Sequence, residues 1–211
     1  MDVYTTEKEQ IDQIKKWWSE NGKAIIFGLV LGVGGLFGYR YWDAARTAEG
    51  QNASINYEHL LTIASAGASD EAIEAGNAII NGYPNSTYAK LSALVLAKLA
   101  VDDRDLDEAK KRLQWVVDNS NKGKIRPIAQ ARLAQLYLAQ GDVEKATSII
   151  SEVNPTYTDQ FTELRGDVFL AQGELAGARI QYDQALEKAR ERGSAGETIQ
   201  LKIENLSIES Q

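Results

Sequence analysis

LAQLYLAQGDVEKATSIISEV, residues 133–153, carries apolar side chains at helical spacing through Leu133, Leu136 and Tyr137. It then meets Gly141-Asp142 and resumes the same spacing with Val143, Ala146, Ile149 and Ile150. Glycine followed by an acidic residue is a breaker between two periodic segments, so the stretch reads as helix, tight turn, helix. The same design stands upstream in LVLAKLAVDDRDLDEAKKRLQWVV, residues 94–117, and downstream in LRGDVFLAQGELAGARIQYDQAL, residues 164–186. Their turns fall at Arg104-Asp105 and Gly173-Glu174. Five positions beyond the first turn residue, each copy has alanine: Ala109, Ala146 and Ala178. A weaker copy puts Gly67 at the turn and Ala72 at the small position, with Pro84 after its second helix.

The turns are offset by 37, 37 and 32 residues, close to the 34-residue tetratricopeptide period. The expected body is therefore an all-α, tetratricopeptide-like solenoid of about four helix pairs. Small residues let two antiparallel helices approach, and large ones fill the space between pairs. Ala97, Ala134 and Gly166 take the small position on first helices, opposite Leu113, Ile150 and Tyr182 on second helices. Arg165 and Arg104 depart from the pattern, Arg104 standing where a turn glycine belongs. After Gly193 and Gly196 the periodicity restarts from Thr198 to Ile208 with Ile199, Ile203 and Leu206 on one face, the mark of a capping helix over the last pair.

At the other end of the chain, AIIFGLVLGVGGLFGY, residues 24–39, runs sixteen residues without a charge. That is about 24 Å of helix against a hydrocarbon core of about 30 Å. Lys23 and Arg40 bracket it and can snorkel. Trp17 and Trp18 on one side, with Tyr39, Tyr41 and Trp42 on the other, supply aromatic belts that make up the missing length. A cleaved signal peptide fits worse, because the first 22 residues mix acids and bases and no small-residue cleavage site follows. The expected organisation is a cytoplasmic segment at 1–21, a transmembrane helix at 22–42, and a repeat domain at 43–211. Lys8, Lys15, Lys16 and Lys23 precede the span and only Arg40 and Arg46 closely follow it, so the N-terminus is expected in the cytoplasm and the repeats outside it.

Gly28, Gly32 and Gly35 share one face of the span, with Gly34 and Gly38 as a second small pair beside it, which admits close packing of another membrane helix. Before the span, Thr6 and Glu9 have capping-box spacing, and Ile11, Ile14, Trp17 and Trp18 follow. This reads as a short amphipathic helix ending at Asn21-Gly22, lying on the membrane surface or docked on a membrane partner.

The net charge of −7 belongs to residues 43–211, since residues 1–42 hold five acids and five bases. An acidic domain without a basic, aromatic-interleaved stripe is a poor nucleic-acid binder. There is no cysteine and one histidine, His59, which reads as an ordinary helix residue. Asp102, Asp103, Asp105, Asp107 and Glu108 lack the spacing of a calcium loop and read as a solvated turn. Lys122, Lys124 and Arg126 fall in an expected connection from Asn119 to Pro127. No catalytic, cofactor or metal site is expected. Solenoids of this kind bind protein segments along the side lined by first helices. The inward positions map to Tyr57, Leu61, Leu91, Leu94, Val101, Ile128, Leu138 and Leu170, a groove for extended apolar polypeptide.

ENGKA at 20–24, RYW at 40–42, LRG at 164–166 and NLSI at 205–208 together resemble the YfgM family, ancillary subunits of the bacterial Sec translocon. The resemblance covers residues 1–208 and is strongest at the anchor and the last repeat. It implies a single-pass inner-membrane protein with its N-terminus in the cytoplasm and a periplasmic tetratricopeptide domain. It also implies work beside the translocon and the membrane-bound chaperone PpiD; the anchor, the export topology and the apolar groove point to emerging secreted polypeptides as clients. The alternative is a membrane-anchored scaffold or regulator of another envelope assembly. Either way the expected role is binding, not catalysis.

Overall fold

A computed structural model describes residues 7–120, 123–153, 157 and 161–209. All regular structure in them is helical: α1 (Glu7–Ser65), α2 (Ser69–Gly82), α3 (Thr87–Asp102), α4 (Leu106–Asp118), α5 (Ile125–Ala139), α6 (Val143–Ser151), α7 (Thr162–Ala171), α8 (Leu175–Glu191) and α9 (Glu197–Glu209). The chain divides into two compact units with the boundary after Asn52.

In the first unit α1 is unbroken, and the stop expected at Asn21-Gly22 is not there. The Trp18 indole lies 3.2 Å from where a Gly22 side chain would begin, so the tryptophan covers the glycine and shields the backbone there. With no turn at Gly22, the Ile11–Trp18 stretch is continuous with the apolar run that follows and is not a separate helix. The capping pair proposed for its start, Thr6 and Glu9, lies outside the described side chains. Within α1, Ile25–Asp43 is long and apolar enough to cross a membrane, and none of it is buried against the rest of the protein.

The second unit begins with residues 53–65 of α1, whose Leu60 shares one cluster with Ala72 and Ile79 of α2. The following pairs are α3 with α4, α5 with α6, and α7 with α8, and α9 closes the stack. This is the tetratricopeptide-like solenoid with a terminal cap. Between the helices of a pair the chain reverses through one residue in the left-handed region: Gly67 (φ 78°), Arg104 (φ 63°), Gly141 (φ 78°) and Gly173 (φ 78°). The next amide then reaches back to the fifth residue before it, Asp105 to Ala100 at 2.8 Å, Asp142 to Tyr137 at 2.9 Å and Glu174 to Phe169 at 2.9 Å. That pattern satisfies helix-end carbonyls, and only glycine adopts the backbone conformation without steric cost. Asp105 and Asp142 then cap the next helix by accepting from the amides of Glu108 and Lys145.

The small positions behave as the repeats require. Ala72, Ala109, Ala146 and Ala178 are fully buried, as are Ala97 and Ala134 or nearly so. At Gly166 any side chain would overlap the ring of buried Tyr182, and at Gly76 it would stand 2.7 Å from Leu96. The core is a series of clusters. One gathers Leu60, Ala72 and Ile79; the next Leu96, Leu113, Val116 and Leu133; a third Ile150, Phe161, Leu164 and Val168; and the last Tyr182, Ala185, Ile199 and Leu206 under α9. The connection expected from Asn119 to Pro127 is shorter than its composition implied, because α5 starts at Ile125 and takes Arg126 and Pro127 into its first turn, where proline is tolerated. Lys122 lies outside the described residues.

Candidate functional site

The first helices of successive pairs leave a trough between them. Between α3 and α5 a depression of about 520 Å³ is lined by Ala97, Val101, Leu136 and Ala139, with Lys98, Arg132 and Gln135 among its polar walls. Between α5 and α7 a second, of about 440 Å³, is lined by Leu138, Leu170, Ala171 and Asp167. The two share Gln135 and Ala139, so they form one path across three helices. Arg132, Gln135 and Ala139 recur at three- and four-residue spacing on α5, which turns them all to this side.

Of the eight groove positions read from the sequence, Val101, Leu138 and Leu170 line the trough. Leu94 does not: it is 8% exposed and belongs to the core, with Leu91 packed against the same cluster. Both leucines are taken up by the apolar cluster that α3 shares with α2, α4 and α5. Tyr57 packs beside Tyr88 with ring centroids 5.7 Å apart, and burial raises its hydroxyl pKa. Leu61 and Ile128 are exposed but line neither depression. The sequence reading missed Arg132, Gln135 and Ala139, although stepping by helical spacing from Ile128 passes through all three.

The charges along the trough differ in their partners. Lys98 is paired with Asp102 one turn on. Asp167 accepts from the Tyr182 hydroxyl at 2.8 Å and from Lys202 at 2.6 Å, and Lys202 also reaches Glu163 at 2.8 Å. Burial of the Lys202 ammonium opposes its charge, but the bonds to Asp167 and Glu163 outweigh that, so its pKa lies above the ordinary lysine value. This network ties α7, α8 and α9 together. Arg132 makes no ion pair among the described residues.

Nothing in the acidic turn suggests a metal. Asp105 caps α4, Asp107 pairs with Lys110, and Glu108 pairs with Lys111 and Arg112. The Lys110 hydrogen bond holds the Asp107 carboxyl below its usual pKa. Among the described residues no group of three or more His, Asp or Glu side chains is placed to hold an ion. His59 is exposed on α1.

In the anchor, open space surrounds Gly28, Gly32, Gly34, Gly35 and Gly38. Trp17, Trp18, Tyr39, Tyr41 and Trp42 are all more than half exposed, and Lys23 and Arg40 are exposed too. Because α1 is unbroken, counting by sevens links these positions. Ile11, Trp18, Ile25, Gly32 and Tyr39 form one row, and Ile14, Asn21, Gly28, Gly35 and Trp42 the adjacent one. A seven-residue repeat drifts only about 20° per turn of the count on a straight helix. Over the three repeats from Ile11 to Gly32 the row thus turns by about 60°, and polar Asn21 interrupts the adjacent row before Gly28.

A family model described as a tetratricopeptide repeat-like domain matches residues 15–208. Curated relatives align along nearly the whole chain. An "Ancillary SecYEG translocon subunit" of Escherichia coli (strain K12) is 30% identical over 209 residues, covering 99% of this chain and 100% of the relative. One of the same name from Aggregatibacter actinomycetemcomitans is 32% identical, covering 97% and 100%. Another, from Neisseria gonorrhoeae, is 27% identical, covering 98% and 100%.

Proposed function

Since the chain belongs to the family of ancillary SecYEG translocon subunits, we propose that it is a non-enzymatic accessory of the translocon. In this reading it is a single-pass inner-membrane protein with its N-terminus in the cytoplasm and its repeats in the periplasm. The anchor meets the translocon through the Gly28–Gly32–Gly35 face. The trough across α3, α5 and α7 receives extended polypeptide, either an emerging secreted chain or a segment of the chaperone PpiD. The observation that carries the reading is the trough itself. Its floor of Ala97, Val101, Leu136, Leu138, Ala139 and Leu170 is apolar, open, and set in an otherwise acidic domain. The open space around Gly28, Gly32 and Gly35 supports the anchor's part, because it lets a partner helix approach the backbone closely.

Photocross-linking from two sites tests both halves. A photoreactive residue in place of Val101 is expected to trap translocating polypeptide or PpiD, and one in place of Gly32 to trap a translocon subunit. Adducts to lipid alone from position 32, with none to polypeptide from position 101, would overturn the proposal.

A further inference from the structure

Resting on the reading of the trough as a polypeptide site, we infer that Arg132 selects segments in which a side-chain carboxylate is flanked by apolar residues. Arg132 lines the larger depression beside Ala97, Val101 and Leu136, and it is exposed. The other charges along the path are engaged: Lys98 by Asp102, and Asp167 by Tyr182 and Lys202. Arg132 alone among the described lining residues carries a charge that no ion pair answers. An apolar segment entering the trough would cover the arginine and strip water from it, which is costly unless the segment brings an anion. The planar fork of arginine suits a carboxylate, with two parallel hydrogen bonds.

A polyanion does not fit. One cation without an ion pair lines a trough in a domain that holds the chain's entire net charge of −7, so phosphate chains or an anionic membrane surface would be repelled. A single carboxylate between apolar side chains fits both the charge and the floor. The trough also continues past Arg132 through Gln135 to Leu170, so the occupant runs on beyond the carboxylate instead of ending at it. The Gln135 amide, shared by both depressions, offers a donor and an acceptor to a passing backbone.

The test uses the full-length protein in detergent micelles and two end-capped peptides of alternating Leu and Ala bearing a neutral fluorophore. The peptides differ only in a central Asp or Asn. The Asp peptide is expected to bind about tenfold more tightly at low salt, and the ratio to shrink as salt is added. Arg132→Gln is expected to bring the ratio to about one, weakening the Asp peptide more than the Asn peptide, and Arg132→Lys to keep part of it. Equal binding of the two peptides to the unaltered protein, or a ratio that survives Arg132→Gln, would overturn the selection while leaving the trough as a polypeptide site. Failure of both peptides to bind would sink the trough reading together with the inference.

Discussion

Two residues show how locally the repeat is specified. Gly166 faces Tyr182 so closely that even a methyl group would overlap the ring, and Tyr182 is fully buried. Gly166→Ala should therefore lower stability by about 2 kcal/mol, since overpacking forces a shift of ring or backbone; chemical denaturation measures it. Arg104 is the converse case. It holds φ 63° where the other turns between paired helices use glycine, a conformation that costs a side-chain-bearing residue roughly 1–2 kcal/mol. Arg104→Gly should raise stability by about 1 kcal/mol, less the added freedom of the unfolded chain, and thermal unfolding followed by circular dichroism reads the gain. Both positions were legible in the sequence, because the repeat itself says where a small or left-handed residue belongs. The trough was less so. Leu94 has the right residue type and spacing for a groove, yet the wider apolar face of α3 draws it into the core, and only packing decides between the two.

At the scale of elements, caps and cross-helix bonds carry the detail. Ser86 accepts from the Ala89 amide at 3.0 Å and starts α3, so Ser86→Ala should cost about 1 kcal/mol, measured by the shift in denaturation midpoint. The closing helix α9 is held partly by Lys202. The pKa of Lys202 is raised in the folded state, so its contribution is fully present below the unfolded-state value and disappears as pH climbs through the higher folded value. The stability difference between the unaltered protein and Lys202→Gln should then be constant around neutrality and shrink only well above the ordinary lysine value of 10.5. Unfolding midpoints of the two proteins across that range test it, and a difference that already falls near neutral pH would count against it. The cap helix was readable from the restart of periodicity after Gly196. The continuity of α1 was not. Asn21-Gly22 has the composition of a helix end, and what overrides it, the Trp18 ring lying over Gly22, is a contact that sequence spacing does not announce.

At the scale of the molecule, topology is the property most open to direct measurement. With no native cysteine in the chain, single substitutions give an unconfounded label. Exposed Ser194→Cys should react with a membrane-impermeant maleimide added to cells with permeabilised outer membranes, and exposed Ser19→Cys should react only after the inner membrane is opened. The reverse pattern would refute the proposed orientation.

The core of the repeat domain is a row of small clusters and not one centre. Among the described residues the first two share only Leu99 at their edges, and the second and third share Tyr137 and Ile149. Under tension such a row is expected to open in parts, one cluster giving way while the others keep their shape, and to re-form when the load passes. A domain with a single core would resist to a threshold and then fail as a whole. A row of clusters is expected to give way in smaller, recoverable steps.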